Sequence, residues 1–127
     1  MWTYVQLTGN FLDPDGKLVG KGYSGHGLGL NVPVAQNLPN IGPIPQGYYS
    51  VGEPYDGEHG PYTLPLSPFQ ENEMFGRDEF KIHGDRIDAP GQHLASLGCI
   101  IQSRNVREAV WNSSDHVIRV ISGQENE

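Results

Sequence analysis

"FKIHGDRIDAPGQHLASLGCIIQSR", residues Phe80–Arg104, is the stretch on which the reading of this chain turns. Its first residues alternate, with Phe80 and Ile82 on one side and Lys81 and His83 on the other, as in a half-buried strand. A polar loop follows and delivers the only cysteine, Cys99, inside Ser96-Leu97-Gly98-Cys99. One thiol allows neither an internal disulfide nor a thiolate metal cluster. Two readings remain open. Cys99 is a small buried hydrophobe beside Ile100 and Ile101, or it is a nucleophile whose proton His83 accepts. Fifteen residues lie between them, enough for a loop to leave the strand and return the cysteine beside it. Gly98 lets the backbone turn sharply and a substrate carbonyl approach, so the amides of Gly98 and Cys99 are natural oxyanion donors.

Outward from this stretch the chain reads as many short strands. Seventeen glycines and ten prolines, about a fifth of the residues, are interleaved with short apolar runs rather than massed in a tail. "WTYVQLTG" suits a pleated strand, and Asp13-Pro14-Asp15-Gly16 is a turn between two more. Residues 23–47 are punctuated too often for regular structure and are expected to form a long ordered loop that helps build a site. "YYSVG" and "YTLPLSP" are further strands. "RNVREAVWN" is a helix capped by Ser103, with Val106, Val110 and Trp111 as its apolar stripe. "HVIRVIS" is a last strand, and residues 123–127 are expected to be a frayed tail. The expected architecture is one mainly β domain over residues 1–122, a β-sandwich or sheet with one or two short helices.

Charge removes several classes of function. Eight Lys and Arg stand against fifteen Asp and Glu, a net charge of −7. Neither nucleic acid nor an anionic membrane surface is an expected partner of so acidic a chain. No apolar run approaches the roughly 20 residues that span a bilayer, so membrane insertion is not expected. The first residues lack a basic segment followed by an apolar one, so no Sec signal is expected.

The motif residues resemble a known group. His83-Gly84 followed by Ser96-Leu97-Gly98-Cys99 is similar to the active-site signature of the L,D-transpeptidase superfamily, a histidine and then Ser/Thr-His-Gly-Cys. "GYSG" at Gly22–Gly25, "GPIPQGYY" at Gly42–Tyr49 and "FKIHGD" at Phe80–Asp85 resemble its small type VI secretion subgroup, effectors that attack the peptidoglycan of rival cells. The resemblance implies that Cys99 attacks the meso-diaminopimelate–D-alanine bond of a stem tetrapeptide and that His83 moves the proton. Ser96 would orient His83, by its hydroxyl or its carbonyl. Gly84, Asp85, Tyr23, Arg86 and Leu97 would face the peptide. It further implies no cofactor, synthesis in the cytoplasm, delivery by secretion machinery into a target cell's periplasm, and a cognate immunity protein. This chain departs from the signature at Leu97, where the second histidine is missing.

Other residues keep two readings. Asp85 orients an imidazole or binds an ammonium, or it makes an Asx-turn. Arg77 and Arg86 meet a substrate carboxylate or are solvated. Tyr23, Tyr48 and Tyr49 line a groove or fill strand positions. His26, His59, His93 and His116 lie on separate segments without metal-ligand spacing, so no metal is expected. His93, inside the loop, is a candidate for the missing motif histidine. Competing functions are a phage-borne or endogenous wall enzyme and a non-catalytic β module that binds wall peptides or a protein.

Overall fold

Alternation carries most of the secondary structure: Trp2 and Tyr4 are buried while Thr3 and Val5 are half-buried, and Ile118 and Val120 are buried on either side of exposed Arg119. The computed structural model describes residues 1–86, 88 and 92–124. Ten strands result: β1 (Trp2–Val5), β2 (Asn10–Leu12), β3 (Leu18–Lys21), β4 (Tyr23–Ser24), β5 (Gly47–Val51), β6 (Tyr55–Gly57), β7 (Gly60–Pro68), β8 (Lys81–His83), β9 (Ile100–Ile101) and β10 (Val117–Ile121). They form one sheet in the order β3-β2-β1-β10-β5-β7-β8-β9-β4, with β6 paired to β7. The expected mainly β architecture is therefore what the chain adopts.

Local chemistry explains the pieces that read correctly. In the β2–β3 turn the Asp13 side chain accepts from the backbone N–H groups of Asp15 and Lys17, both at 2.9 Å, and Gly16 supplies the positive φ of 84°. The single α-helix among the described residues, α1, runs over Arg104–Asn112, and Ser103 accepts from the Val106 N–H as its cap. Val106 and Val110 bury the expected stripe, and Arg107 is buried with them. Residues 25–46 contain only two 3-10 turns, Gly27–Gly29 and Pro33–Ala35, as the glycine and proline spacing implies. Of the expected tail, residues 125–127 lie outside the described residues.

Two pairings are parallel, β1 with β10 and β8 with β9. The second decides the site. Parallel neighbours cannot be joined by a tight turn; they need a crossover of a dozen or more residues. The segment between His83 and Cys99 is that crossover.

The core gathers Trp2, Tyr4, Phe11, Tyr49, Ile82 and Ile118 with their neighbours, and α1 packs on β7 and β8. Tyr4 is completely buried, and its hydroxyl has no hydrogen-bond partner among the described residues. A buried hydroxyl left unpaired costs about 1–3 kcal/mol. Tyr4→Phe is therefore expected to stabilise the fold by about 1 kcal/mol, read as a higher urea midpoint at unchanged slope. A lower midpoint would show that the hydroxyl has a partner.

Candidate active site

The register brings Cys99, just before β9, back beside β8. Ile82 pairs with Ile100 and His83 with Ile101. Continuing that parallel register back by one residue sets Cys99 beside Lys81, with His83 two residues further along the same side. Strand spacing and rise then give a Cα diagonal on the order of 8 Å, within reach of a thiol and an imidazole. Both residues line one cleft of about 990 Å³.

His83 is 2% exposed and belongs to the fold as much as to the cleft. Its Nδ1 lies 2.9 Å from the Gly84 carbonyl oxygen, which can only accept, so Nδ1 carries the proton. Nε2 is then a lone-pair acceptor, and it is buried without a partner among the described residues. Burial pulls the imidazole pKa down to about 4; the Gly84 contact opposes this, and the charges of His59, Arg107 and Lys81 add to it. At neutral pH His83 is an uncharged base.

Cys99 is half-buried, with its Sγ 3.9 Å from the Glu79 carbonyl oxygen. Burial pushes the thiol pKa up, against the pull of a Lys81 backbone contact and the charges of Lys81 and Arg77. The resting pair is thus thiol and neutral imidazole rather than an ion pair. A thiol and a neutral imidazole in one cleft offer the chemistry of general-base transfer.

The turn before Cys99 is fixed by buried polar groups. Ser96 is completely buried, and its hydroxyl donates to the Cys99 carbonyl at 2.6 Å while accepting from the Gly25 and Gly98 amides, each at 3.0 Å. The expected orienting role of Ser96 thus meets a different arrangement: its hydroxyl shapes the nucleophile turn, and the group at His83 Nδ1 is the Gly84 carbonyl. The Gly98 N–H, expected as an oxyanion donor, is committed to Ser96, which leaves the Cys99 amide as the candidate. Gly98 itself has φ 141°, and a Cβ there would meet the Arg77 guanidinium at 2.5 Å and the Phe80 ring at 2.9 Å.

Arg77 takes neither role considered from sequence. It is buried, its Nη1 donates to the carbonyls of Gln36 and Pro43, and its Nη2 donates to those of Gly42 and Leu97. Ser24 makes a parallel link, donating to the Gly98 carbonyl at 2.8 Å and accepting from the Ile44 amide at 2.9 Å. The long loop expected to build a site is thereby tied to the cysteine turn, and its Pro39 and Asn40 reach the cleft.

The remaining expected residues divide. Gly84, Asp85, Arg86 and Leu97 line the cleft, with Leu97 57% exposed at its mouth. Arg86 pairs with Asp88 through two contacts, 2.9 and 2.6 Å. Tyr23 is buried and does not line the cleft; its hydroxyl donates to Asp85 at 2.6 Å and accepts from the Ala95 amide at 2.9 Å, clasping the two ends of the crossover. Tyr48 and Tyr49 lie on β5 away from the cleft, and Tyr49 donates to the Pro45 carbonyl. The His93 ring lies tilted at 41° against that of Tyr23 and lines a second cavity, and His116 stacks on Trp111. Among the described residues no group of three or more His, Cys, Asp or Glu could hold a metal ion.

Sequence reasoning missed the carbonyl clamps of Arg77 and of Arg107, which donates to the Pro61 and Tyr62 carbonyls. It also left His59 as a stray histidine, although its ring lies against that of His83. Nothing in the local sequence signals these contacts, because each joins distant segments.

No helix among the described residues is long and apolar enough to cross a membrane. Neither the curated proteins nor the solved structures contain a match to this chain. The model of the Tlde1 domain does match, over residues 19–122, a span that takes in β4, β8, the crossover, Cys99 and α1. A match of that extent places the chain in the Tlde1 domain family, a family of type VI secretion effectors.

Proposed function

We propose that this effector is a cysteine enzyme that cleaves the meso-diaminopimelate–D-alanine bond of peptidoglycan stem tetrapeptides. The observation that carries the reading is the His83 imidazole: proton fixed on Nδ1 by Gly84, unpartnered Nε2, and Cys99 lining the same cleft. The thiol and Nε2 are not in hydrogen-bond contact, so on this reading the two close on each other as substrate binds.

The steps follow from those atoms. Cys99 Sγ attacks the diaminopimelate carbonyl carbon as Nε2 of His83 takes the thiol proton. The Cys99 amide and the positive potential of the nearby buried Arg77 favour the oxyanion. On collapse the C–N bond breaks, His83 returns its proton to the amine, and D-alanine leaves. The remaining thioester is attacked by water, which gives a tripeptide, or by the amine of a free D-amino acid, which gives exchange. His83 accepts the proton of that second nucleophile and restores the thiol. Leu97 has no part in proton transfer, so a second motif histidine is not required.

The family implies delivery by secretion machinery and a cognate immunity protein; the wall substrate places the site of action in the target's periplasm. Mass spectrometry of muropeptides incubated with the purified protein tests the reading. Tetrapeptides are expected to lose D-alanine, or to exchange it for an added D-amino acid, and Cys99→Ala is expected to abolish both. Tetrapeptides left intact by the wild type would favour a binding module; trimming by Cys99→Ala would remove the cysteine from the mechanism.

A further inference from the structure

The β6–β7 hairpin is exposed along most of its length, yet one side chain at its tip turns inward. Gly57 pairs with Gly60, leaving Glu58 and His59 as a two-residue turn, with Gly60 at φ 102°. The His59 ring lies flat on that of His83, with centroids 4.4 Å apart and planes 11° from parallel. The His59 side chain keeps 36% of its own surface open, whereas His83 beneath it is 2% exposed. His59 is thus the outer layer over the buried base, and it also lines the cleft.

We infer that His59 is a positioning residue for the base: its ring covers one face of the His83 imidazole, excludes water from it, and fixes the plane in which Nε2 meets the thiol. The inference rests on the reading of His83 as the base. An imidazole covered on its face cannot swing away from the Gly84 carbonyl, so the Nδ1–H tautomer is held as well as the ring. Water kept from that face disfavours the imidazolium. The other charged groups that act on His83 are Arg107 on α1 and Lys81 on its own strand, and Glu58, Asp85 and Cys99 line the same cleft. Glu58 sits 3.4 Å from His59 Nε2 and holds the covering ring from its solvent side. The hairpin therefore supplies an imidazole to the site where the motif, with Leu97, has none. It acts through His83 and not on the peptide.

The experiment is an NMR titration of the His83 ring nitrogens in the wild type, His59→Ala and His59→Phe, with tetrapeptide turnover followed in parallel. Removing the cover in His59→Ala is expected to raise the pH at which His83 titrates by about one unit and to lower kcat more than it changes KM. A flat apolar ring in His59→Phe is expected to recover most of both. An unmoved His83 titration in His59→Ala, or no recovery in His59→Phe, overturns the inference. The titration is read with or without turnover, so a protein inactive on tetrapeptides would sink the proposed function while the role of His59 is still decided. The tip is solvent-exposed, and unchanged backbone spectra would verify that both variants fold.

Discussion

Arg77→Met is expected to remove about 3–5 kcal/mol of folding stability, a large share of the 5–15 kcal/mol typical of a domain. The guanidinium binds the carbonyls of Gln36, Gly42, Pro43 and Leu97 at 2.6 to 3.4 Å, and no carboxylate among the described residues shares it. Methionine replaces neither the donors nor the guanidinium that lies over the Phe80 ring, 5.1 Å from its centroid. The buried carbonyls would lose their partners in a place water does not easily enter, and each such loss carries its own desolvation cost. Urea titration measures the effect, and protease sensitivity should appear first in residues 36–43. A loss under about 1 kcal/mol would mean that the carbonyls find other donors. The same cation stands near the sulfur and biases it towards thiolate, so the variant should also be less active under conditions where it remains folded.

His83→Ala is expected to lower tetrapeptide turnover about 10²–10⁴-fold, the usual contribution of a positioned base. The wild-type pH dependence should carry the signature of burial. The competent form is the neutral imidazole, and its pKa is pulled to about 4. Activity should therefore hold at about pH 5.5, where a base of ordinary pKa near 6.5 would be about ten-fold down. A tenfold fall by that pH would show that His83 is solvated in solution. Stability shares the sign. The folded pKa lies below the unfolded value of about 6.5, so this contribution is complete above that pH and is lost as pH falls through about 4. Its full size is about 3 kcal/mol, and it is absent in His83→Ala, whose acid unfolding should be correspondingly less steep.

The sequence showed the parts of this molecule whose causes are local. Alternation at Phe80–His83, the Asp-Pro-Asp-Gly turn and the Ser103 cap each act over a few residues, and each reads through. The His83–Cys99 spacing was visible, but its cause was not. It is the length of a crossover between parallel strands, and two-residue β9 is too short to be read as a strand at all. Ser96 was picked out by the motif, but which backbone groups its hydroxyl would meet depends on Gly25 arriving from another loop. Arg77, Arg107 and His59 stayed hidden for the same reason: their partners lie tens of residues away, and an arginine satisfied by carbonyls looks in sequence like one on the surface. Leu97 marked a departure from the motif, and nothing near it indicated that a hairpin would lay the His59 ring against His83.

The protonated state of Cys99 has a consequence for survival outside a reducing cell. Peroxides and disulfides react with thiolates far faster than with thiols. A resting sulfur that is half-buried and keeps its proton reacts slowly with either. On the proposed mechanism it becomes strongly nucleophilic only as a substrate carbonyl arrives and His83 takes the proton. With no second cysteine in the chain, no internal disulfide can capture it on the way. The thiol is therefore expected to react with iodoacetamide or peroxide more slowly than a free cysteine thiol.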